Sequence, residues 1–153
     1  MTLLQAYFKW RKQPAPSYAR NTIYMLFYKP IRKYLNVVII PNIPINLLRI
    51  WGYRLLGYKI GKNVFIGMKC YMDDVNPGRT TIEDDVVISY GCYFSVHGKR
   101  QDHTFIKIKK GAYLGMKVSI IGGKKGVEIG AESFVGACSL VLSNVDTKDT
   151  VVG

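Results

Sequence analysis

The first 72 residues of this 153-residue chain contain no aspartate or glutamate, although they include twelve lysines and arginines. All ten acidic residues lie in residues 73–153, where ten basic residues balance them, so the net charge of +12 belongs entirely to the front of the chain. A one-signed segment of this size favours contact with an anionic partner.

Long apolar runs and cysteines are scarce as well. No segment has the roughly 20 consecutive apolar residues that cross a bilayer, and the N-terminus lacks the charged, apolar and small-residue order of a secretory signal. Of the three cysteines, Cys70 and Cys92 occupy positions that the repeat described next directs inward. We therefore interpret them as small core residues and expect a cytoplasmic, reducing location.

What the sequence has in abundance is a six-residue repeat between Ile60 and Val145. An aliphatic or aromatic residue opens each unit, and three units suit one turn of a triangular coil, because a period of six fits neither a helix nor one continuous strand. The openings stack into three columns of four: Ile60, Ile82, Ile108 and Ile129; Ile66, Ile88, Leu114 and Val135; Met72, Phe94, Ile120 and Val141. The repeat predicts a mainly β fold, a parallel β-helix of about four coils.

The fifth position of each unit supports this register, because a second inward side chain in a narrow coil must be small or β-branched. These residues are Val64, Val86, Ala112 and Ser133 on the first face and Cys70, Cys92, Val118 and Ser139 on the second. Glycine is frequent at the second position, as at Gly61 and Gly130, where we expect a tight bend or a positive φ. So many glycines and β-branched residues disfavour an amphipathic helix.

Successive rungs are spaced by 22, 26 and 21 residues, which is more than three six-residue units supply. The surplus must leave the coil as loops, which we place within residues 73–79, 97–104 and 122–126. Loops on a rigid solenoid are where binding and chemistry usually occur.

Residues 1–58 contain no hexads and are predicted to form a basic, aromatic-rich helical cap in front of a repeat domain of residues 59–153. We expect a first helix from Thr2 to just before Pro14, a second that Pro30 interrupts, and a third that begins at Pro44 and ends at Gly57. The apolar side chains that the third helix offers for burial are Leu47, Leu48, Ile50, Trp51, Leu55 and Leu56.

Basic, aromatic and aliphatic residues without any acid are typical of a segment that lies at a membrane interface. We expect residues 1–43 to bind an anionic membrane surface, which would place the protein at the inner face of the cell membrane. The alternative is a cap that packs its aromatic residues on the first coil and leaves its lysines solvated. Nucleic acid is not expected as a partner, because no stacking platform or groove-reading motif accompanies the charge.

Together with the hexads as a whole, five segments have a recognisable pattern: Leu47–Ile50, Leu55–Gly61, Leu114-Gly115, Ile129–Ala137 and Val151–Gly153. With these segments the chain resembles the hexapeptide-repeat acyltransferases over about residues 47–153, and among them the group that O-acetylates sugars in capsule, exopolysaccharide and lipopolysaccharide synthesis. The resemblance implies a left-handed coil, a homotrimer, active sites between neighbouring coils, and acetyl-CoA as co-substrate with no metal required. Similar proteins continue past the Val-Val-Gly with a segment that helps to hold coenzyme A, so we expect either that the chain is truncated or that it uses a reduced coenzyme site.

Acetyl transfer to a sugar hydroxyl, free or on a lipid-linked glycan, needs a general base. His97 follows Phe94-Ser95-Val96, opens the longest loop and matches the catalytic histidine of similar proteins. The alternatives are His103 as the base and a structural role for His97. Asp73, Asp74 and His103 are candidates for acceptor binding, and either aspartate would hold the sugar or orient the imidazole unless the two form only a solvated pair.

For acetyl-CoA the resemblance implies contacts with backbone amides near Gly115 and Ala137, and with Ser143 and Asn144.

Two functions of other classes compete with acetyl transfer. A non-catalytic coil would serve as a scaffold or assembly module. A metal enzyme of the carbonic-anhydrase kind would need three histidine ligands, and the chain has two histidines.

Overall fold

The computed structural model describes residues 7, 9–12, 23–97 and 104–153. The chain divides into two compact units, Met1–Tyr34 and Leu35–Gly153. The expected helix from Thr2 falls mostly outside the described residues. Segment 35–58, which the sequence analysis grouped with the cap, belongs to the same compact unit as the β-helix.

Helix α1, Ile23–Tyr34, is the main described element of the first unit. We expected Pro30 to interrupt it, but the helix continues through this residue. Proline removes one backbone donor and crowds the preceding turn, which strains a helix without always ending it. Lys29, Arg32 and Lys33 lie in its second half, and the helix contains no acidic residue.

In the described residues, twelve short strands form three parallel sheets, one for each face of the coil. The strands of the first face are β1 (Lys59–Ile60), β3 (Thr80–Ile82), β6 (Ile106–Ile108) and β9 (Val127–Ile129). Those of the second are β2 (Phe65–Ile66), β4 (Val87–Ile88), β7 (Tyr113–Leu114), β10 (Phe134–Val135) and β12 (Thr150–Val151). Those of the third are β5 (Tyr93–Ser95), β8 (Ser119–Ile121) and β11 (Leu140–Val141). A mainly β solenoid of about four turns is confirmed.

The strand register is the one that the hexads predict. On the first face, Ile60 pairs with Ile82, Ile82 with Ile108, and Ile108 with Ile129. The second and third faces follow the same pattern, and a further pairing of Val135 with Val151 begins a fifth turn. Pairing of identical hexad positions keeps every apolar opening residue on the inside of the coil.

The core of the β-helix is a column of stacked aliphatic side chains. Ile66, Ile88, Leu114 and Val135 are buried, as are their counterparts on the other faces except Ile60, which is only partly buried. The small residues at the fifth positions point inward as predicted: Val64, Val86, Ala112, Ser133, Cys70, Cys92, Val118 and Ser139 are all buried. Ser133 and Ser139 satisfy their hydroxyls by donating to the carbonyls of Gly130 and Gly136 at 2.7 and 2.8 Å.

The corners of the coil differ from our expectation for glycine. The second-position glycines have no positive φ; instead, a Cβ at Gly130 would lie 2.4 Å from the Thr147 nitrogen of the next coil. Positive φ occurs at the fourth position, for example at Asn63 and Asp85. Glycine is therefore selected at the second position by the close approach of stacked coils and not by its conformational freedom.

Helix α2, Asn46–Leu55, covers the open end of the first coil, after a π-helical turn, Leu35–Ile39, and a 3-10 turn, Ile40–Asn42. Gly57 follows α2 with a φ of 100°, which confirms the predicted glycine after the helix. The helix begins two residues after Pro44 and buries Ile50 and Tyr53 against the coil.

Side chains of residues 36–54 supply the hydrogen-bond donors that a coil preceding the first one would otherwise provide. Within the β-helix, carbonyls of one coil accept hydrogen bonds from the coil before it, as Ile88 O does from Gly67 N at 2.7 Å. The first coil has no predecessor, so its carbonyls would form an unpaired edge. Side chains supply the donors instead: Asn46 to Val64 O, Arg49 to Ile66 O, Tyr53 to Cys70 O, Arg54 to Ile60 O and Asn36 to Met72 O.

The apolar side chains of α2 are only partly buried, which corrects the expectation for this helix. Ile50 is buried and Leu56 is partly buried, whereas Leu47, Leu48, Trp51 and Leu55 are exposed. The reason is that polar side chains, above all Arg49, occupy the side that faces the coil.

Candidate functional site

His97 and Asp73 form a close side-chain contact at one corner of the β-helix. His97 follows β5, and Asp73 lies at the same corner one coil earlier, so stacking brings together two residues that are 24 apart in sequence. The His97 Nδ1 atom is 2.5 Å from Asp73 Oδ2. Asp73 is fully buried, while the side chain of His97 is 43% exposed, so one edge of the imidazole is held and the ring remains accessible.

Backbone amides hold the Asp73 carboxylate in place. Val96 N donates to Oδ2 at 2.6 Å, and Val75 N donates to Oδ1 at 2.9 Å. With the His97 contact, both carboxylate oxygens are used inside the protein. An ionised carboxylate only accepts hydrogen bonds, so in a neutral imidazole this contact requires that Nδ1 carries the proton.

Ser95 and Thr104 support the chain around His97. The Ser95 hydroxyl donates to the His97 carbonyl at 3.1 Å, and the Thr104 hydroxyl donates to the Val96 carbonyl at the same distance. Gly122 N from the next coil donates to Ser95 O at 2.8 Å. Hydrogen bonds therefore fix the backbone at Ser95 and Val96, before His97, and at Thr104, where the described chain resumes. Residues 98–103 lie outside the described part of the chain.

Tyr58 and Asn36 form a further polar layer behind Asp73, which the sequence analysis did not identify. The Tyr58 hydroxyl lies 2.8 Å from the Asp73 carbonyl and 2.9 Å from Asn36 Oδ1, and Asn36 Nδ2 donates to Met72 O at 2.7 Å. Burial raises the pKa of Tyr58 above its ordinary value, so the hydroxyl keeps its proton. The hexad pattern does not mark these residues, because both precede the repeat.

Asp74 accepts a hydrogen bond from Tyr71, which belongs to an aromatic pair. The Tyr71 hydroxyl donates to Asp74 Oδ1 at 3.0 Å, and burial together with this carboxylate raises the pKa of Tyr71. The ring of Tyr71 stacks on that of Tyr93 with centroids 4.6 Å apart. This pair was not singled out from the sequence, but the stacking of hexads, which puts Tyr71 beside Tyr93, could have found it.

The four residues predicted near acetyl-CoA divide into two groups. Gly115 and Ala137 touch each other in stacked turns, where a Cβ at Gly115 would lie 2.6 Å from Ala137 N. The Gly115 N–H itself donates to Val135 O at 2.8 Å and is occupied within the coil. Ser143 and Asn144 are exposed after β11, and Asn144 Oδ1 accepts from Glu128 N at 2.9 Å.

These groups lie at different corners of the triangular coil. Asp73, His97 and the segment 142–144 follow strands or bridges of the third face, whereas Gly115 and Ala137 follow strands of the second. Within one chain, therefore, a whole face of the coil lies between the corner with Gly115 and Ala137 and the corner with His97.

Three other expectations concern regions or groups beyond this corner. His103 lies outside the described residues, so its position relative to His97 stays a prediction. In residues 7, 9–12, 23–97 and 104–153, no three His, Cys, Asp or Glu side chains are grouped closely enough to hold a metal ion. The same ranges contain no helix with the length and apolar character needed to cross a membrane.

Comparison with known proteins gives matches through structure and none through sequence. No protein-family model matches the chain, and no curated protein matches it. A hexapeptide-repeat-containing acetyltransferase from Vibrio cholerae, solved in complex with acetyl coenzyme A, aligns with all of this chain and 94% of its own at 23% identity and a TM-score of 0.66.

Two further solved structures align less completely. The polySia-specific acetyltransferase NeuO aligns at 23% identity and a TM-score of 0.53, over 61% of this chain and 47% of its own. Soybean serine acetyltransferase complexed with serine gives 21% identity and a TM-score of 0.54, over 98% of this chain and 63% of its own. The chain thus spans less than two thirds of the length of these two proteins. Its fold is the left-handed parallel β-helix of the hexapeptide-repeat acetyltransferases.

Proposed function

We propose that this protein is an acetyl-CoA-dependent O-acetyltransferase in which His97 is the general base and Asp73 orients it. The observation that carries the proposal is the contact between His97 Nδ1 and the buried Asp73 carboxylate, on a fold whose structural neighbours are acetyltransferases. One of these neighbours was solved with acetyl coenzyme A, which supports the same co-substrate here.

The geometry supports a different role for each of the two residues, proton transfer for His97 and orientation of the imidazole for Asp73. Because Asp73 accepts a hydrogen bond from Nδ1–H, the lone pair of Nε2 is available to take the proton of an acceptor hydroxyl. The hydroxyl oxygen then bonds to the thioester carbon, the carbon–sulfur bond breaks, and the imidazolium returns the proton to the departing thiolate. General-base catalysis of this kind contributes about 10²–10⁴-fold to the rate. The buried carboxylate also stabilises the imidazolium that forms during the transfer.

Asp73 fits the orienting role better than the acceptor-binding role. Its side chain is fully buried and both of its oxygens are already hydrogen-bonded. Asp74 is only partly buried, so between the two aspartates it is the better candidate for contact with an acceptor. Ser143 and Asn144 keep their predicted role in coenzyme binding.

The separation of the two predicted coenzyme groups supports a site shared between chains. If Gly115 and Ala137 contact acetyl-CoA while His97 acts on the acceptor, the two corners must come from neighbouring copies. A homotrimer of parallel coils satisfies this requirement, because it sets one corner of each coil against a different corner of the next.

A sugar hydroxyl is the acceptor that we propose, in the synthesis of a surface polysaccharide. The hexad resemblance to sugar O-acetyltransferases supports it, and so does the structural likeness to an acetyltransferase specific for polySia. The competing acceptor is serine, because serine acetyltransferase shares the fold with a similar TM-score. Both acceptors present a hydroxyl, so the dyad alone does not discriminate between them.

The test is thiol release from acetyl-CoA in the presence of glycosyl acceptors or L-serine. We expect turnover with a glycosyl acceptor, a loss of about 10²–10⁴-fold in His97→Ala, and a fall in kcat of between about 10- and 10⁴-fold in Asp73→Asn with little change in KM. Asp146→Asn, which changes an exposed aspartate of the last coil, is the matched control and should keep full activity.

Each contrary outcome points to a different conclusion. Turnover with serine alone would refute the sugar acceptor, and full activity of His97→Ala would refute the assigned base. If calorimetry detects no binding of acetyl-CoA, the transferase proposal fails and a scaffold function replaces it.

A further inference from the structure

We propose that the exposed face of α2 docks on the surface of an anionic phospholipid bilayer. This face consists of Ile45, Leu47, Leu48, Trp51 and Leu55. Between Ile45 and Leu55, every exposed side chain is apolar except that of Arg54. Leu47, Leu55 and Trp51 are 73%, 66% and 62% exposed.

The position of these residues on the helix makes one continuous surface. Arg49, Ile50 and Tyr53 define the side of α2 that packs on the first coil. At 100° per residue, Leu47, Leu48, Trp51 and Leu55 all fall within about a third of the circumference on the opposite side. An exposed apolar stripe that contains tryptophan and leucine, bordered by a cation, is the arrangement of helices that lie in a membrane interface.

An open apolar groove extends this surface toward the start of the unit. It has a volume of about 330 Å³. Its lining residues are Leu35, Ile40, Ile43, Leu48, Trp51, Gly52, Leu55 and Leu56. Beside it, Val38 and Ile39 are also exposed, so the apolar area is larger than one helix face and exceeds what scattered surface residues explain.

The positive charge around this face favours an anionic surface as the partner. Arg54 donates to the carbonyls of Ile60 and Gly61, which places its guanidinium beside the exposed Lys59 and Lys62. No acidic residue occurs before Asp73, so α2 and the turns before it carry no negative charge; the carboxylates near Lys62 belong to the second coil, where Asp84 accepts a hydrogen bond from Lys62 N at 2.6 Å. A second copy bound through the same face would bring these cations together, which disfavours self-association through it.

The proposal differs from the expectation based on residues 1–43, because it assigns the contact to a folded helix of the β-helix unit. It is independent of the proposed activity. Docking through α2 would hold the open end of the first coil at the bilayer, where each cation near an anionic surface increases binding by roughly fivefold.

The test is co-sedimentation of the full chain with vesicles of phosphatidylglycerol and phosphatidylcholine in equal amounts, compared with phosphatidylcholine alone. We expect salt-sensitive binding to the anionic vesicles. Trp51→Gln with Leu55→Gln should weaken it by about tenfold or more, because two largely exposed apolar side chains no longer enter the interface. The matched control is Leu140→Gln with Leu142→Gln, which removes two similarly exposed leucines of the last coil and should leave binding unchanged.

A second readout follows the helix itself. In a Trp10→Phe background, Trp51 is the single tryptophan, and its fluorescence should shift to the blue and be quenched by brominated lipid when anionic vesicles are added. Unchanged vesicle binding by the α2 variant, or an unquenched Trp51 in the bound protein, would overturn the proposal. So would a concentration-dependent increase in mass that needs Trp51 and Leu55 but no lipid, because the face would then be an interface between copies.

Discussion

Arg49 offers the sharpest test of how the β-helix is closed at its first coil. Its side chain is 2% exposed, and it is the largest of the fully buried side chains. Nε and Nη2 both donate to the Ile66 carbonyl, at 2.9 and 2.5 Å, and Nη1 donates to the Ile43 carbonyl. Replacing Arg49 with methionine keeps a similar length and removes all of these donors.

The expected cost follows from the carbonyls that lose their partners. A buried polar group that is left without a hydrogen bond costs about 1–3 kcal/mol, and Arg49→Met removes the donor from the buried Ile66 carbonyl and from the partly buried Ile43 carbonyl. The loss is partly offset because a buried charge no longer has to be desolvated, a penalty that already lowers the pKa of Arg49. We expect the free energy of unfolding to fall by about 2–4 kcal/mol, which is a large share of the stability of an ordinary domain.

Arg54→Met is the matched control, since Arg54 lies on the same helix and donates to first-coil carbonyls in the same way. Arg54 is exposed, so water replaces it, and the expected loss is about 0–1 kcal/mol. Chemical denaturation followed by circular dichroism measures both variants. Equal losses in the two variants, or a loss below about 1 kcal/mol in Arg49→Met, would refute the idea that Arg49 replaces a missing coil.

Two further predictions concern the corners of the coil and the thiols. Gly130→Ala should lower the free energy of unfolding by about 1–3 kcal/mol, because the new Cβ would meet the backbone of the next coil. The control is Gly78→Ala, whose Cβ meets nothing within 4 Å and which should change this free energy by no more than about 0.5 kcal/mol. Equal denaturation midpoints for the two variants would contradict the close-approach explanation. A thiol reagent should modify Cys138 alone in the native protein and all three cysteines after unfolding, and rapid native modification of Cys70 or Cys92 would show that the core opens.

The repeat let the sequence predict the coil in detail because each hexad position has one structural consequence. Stacking Ile60 on Ile82 fixes the partner of every strand residue, and the size of the fifth residue confirms which side faces inward. The glycines show where this reasoning stopped. A glycine at the second position indicates that no side chain is tolerated there. Only the short distance from Gly130 to the backbone of the next coil shows that the reason is lack of space and not a positive φ.

The candidate site was predictable only in part. His97 was selected because it ends a repeat face, opens the longest loop and matches the catalytic histidine of similar proteins, but sequence left Asp73 and Asp74 equivalent. Stacking resolves the two, since it buries Asp73 beneath His97 and turns Asp74 toward Tyr71. A one-residue difference in sequence becomes a difference between an internal partner of the imidazole and a partly exposed carboxylate.

The sequence by itself determined the β-helix, its register and the cationic front, because these depend on local periodicity and on composition. Only the tertiary structure decided which charged and polar side chains are used internally. Arg49 counts as one more cation in the sequence, yet it is buried and replaces the backbone donors of an absent coil. Leu47 and Trp51 look like core residues, yet they are exposed, because Arg49, Ile50 and Tyr53 already fill the side of the helix that meets the coil. Such assignments depend on contacts between segments far apart in the chain, and the hexad pattern carries no information about the residues that precede it.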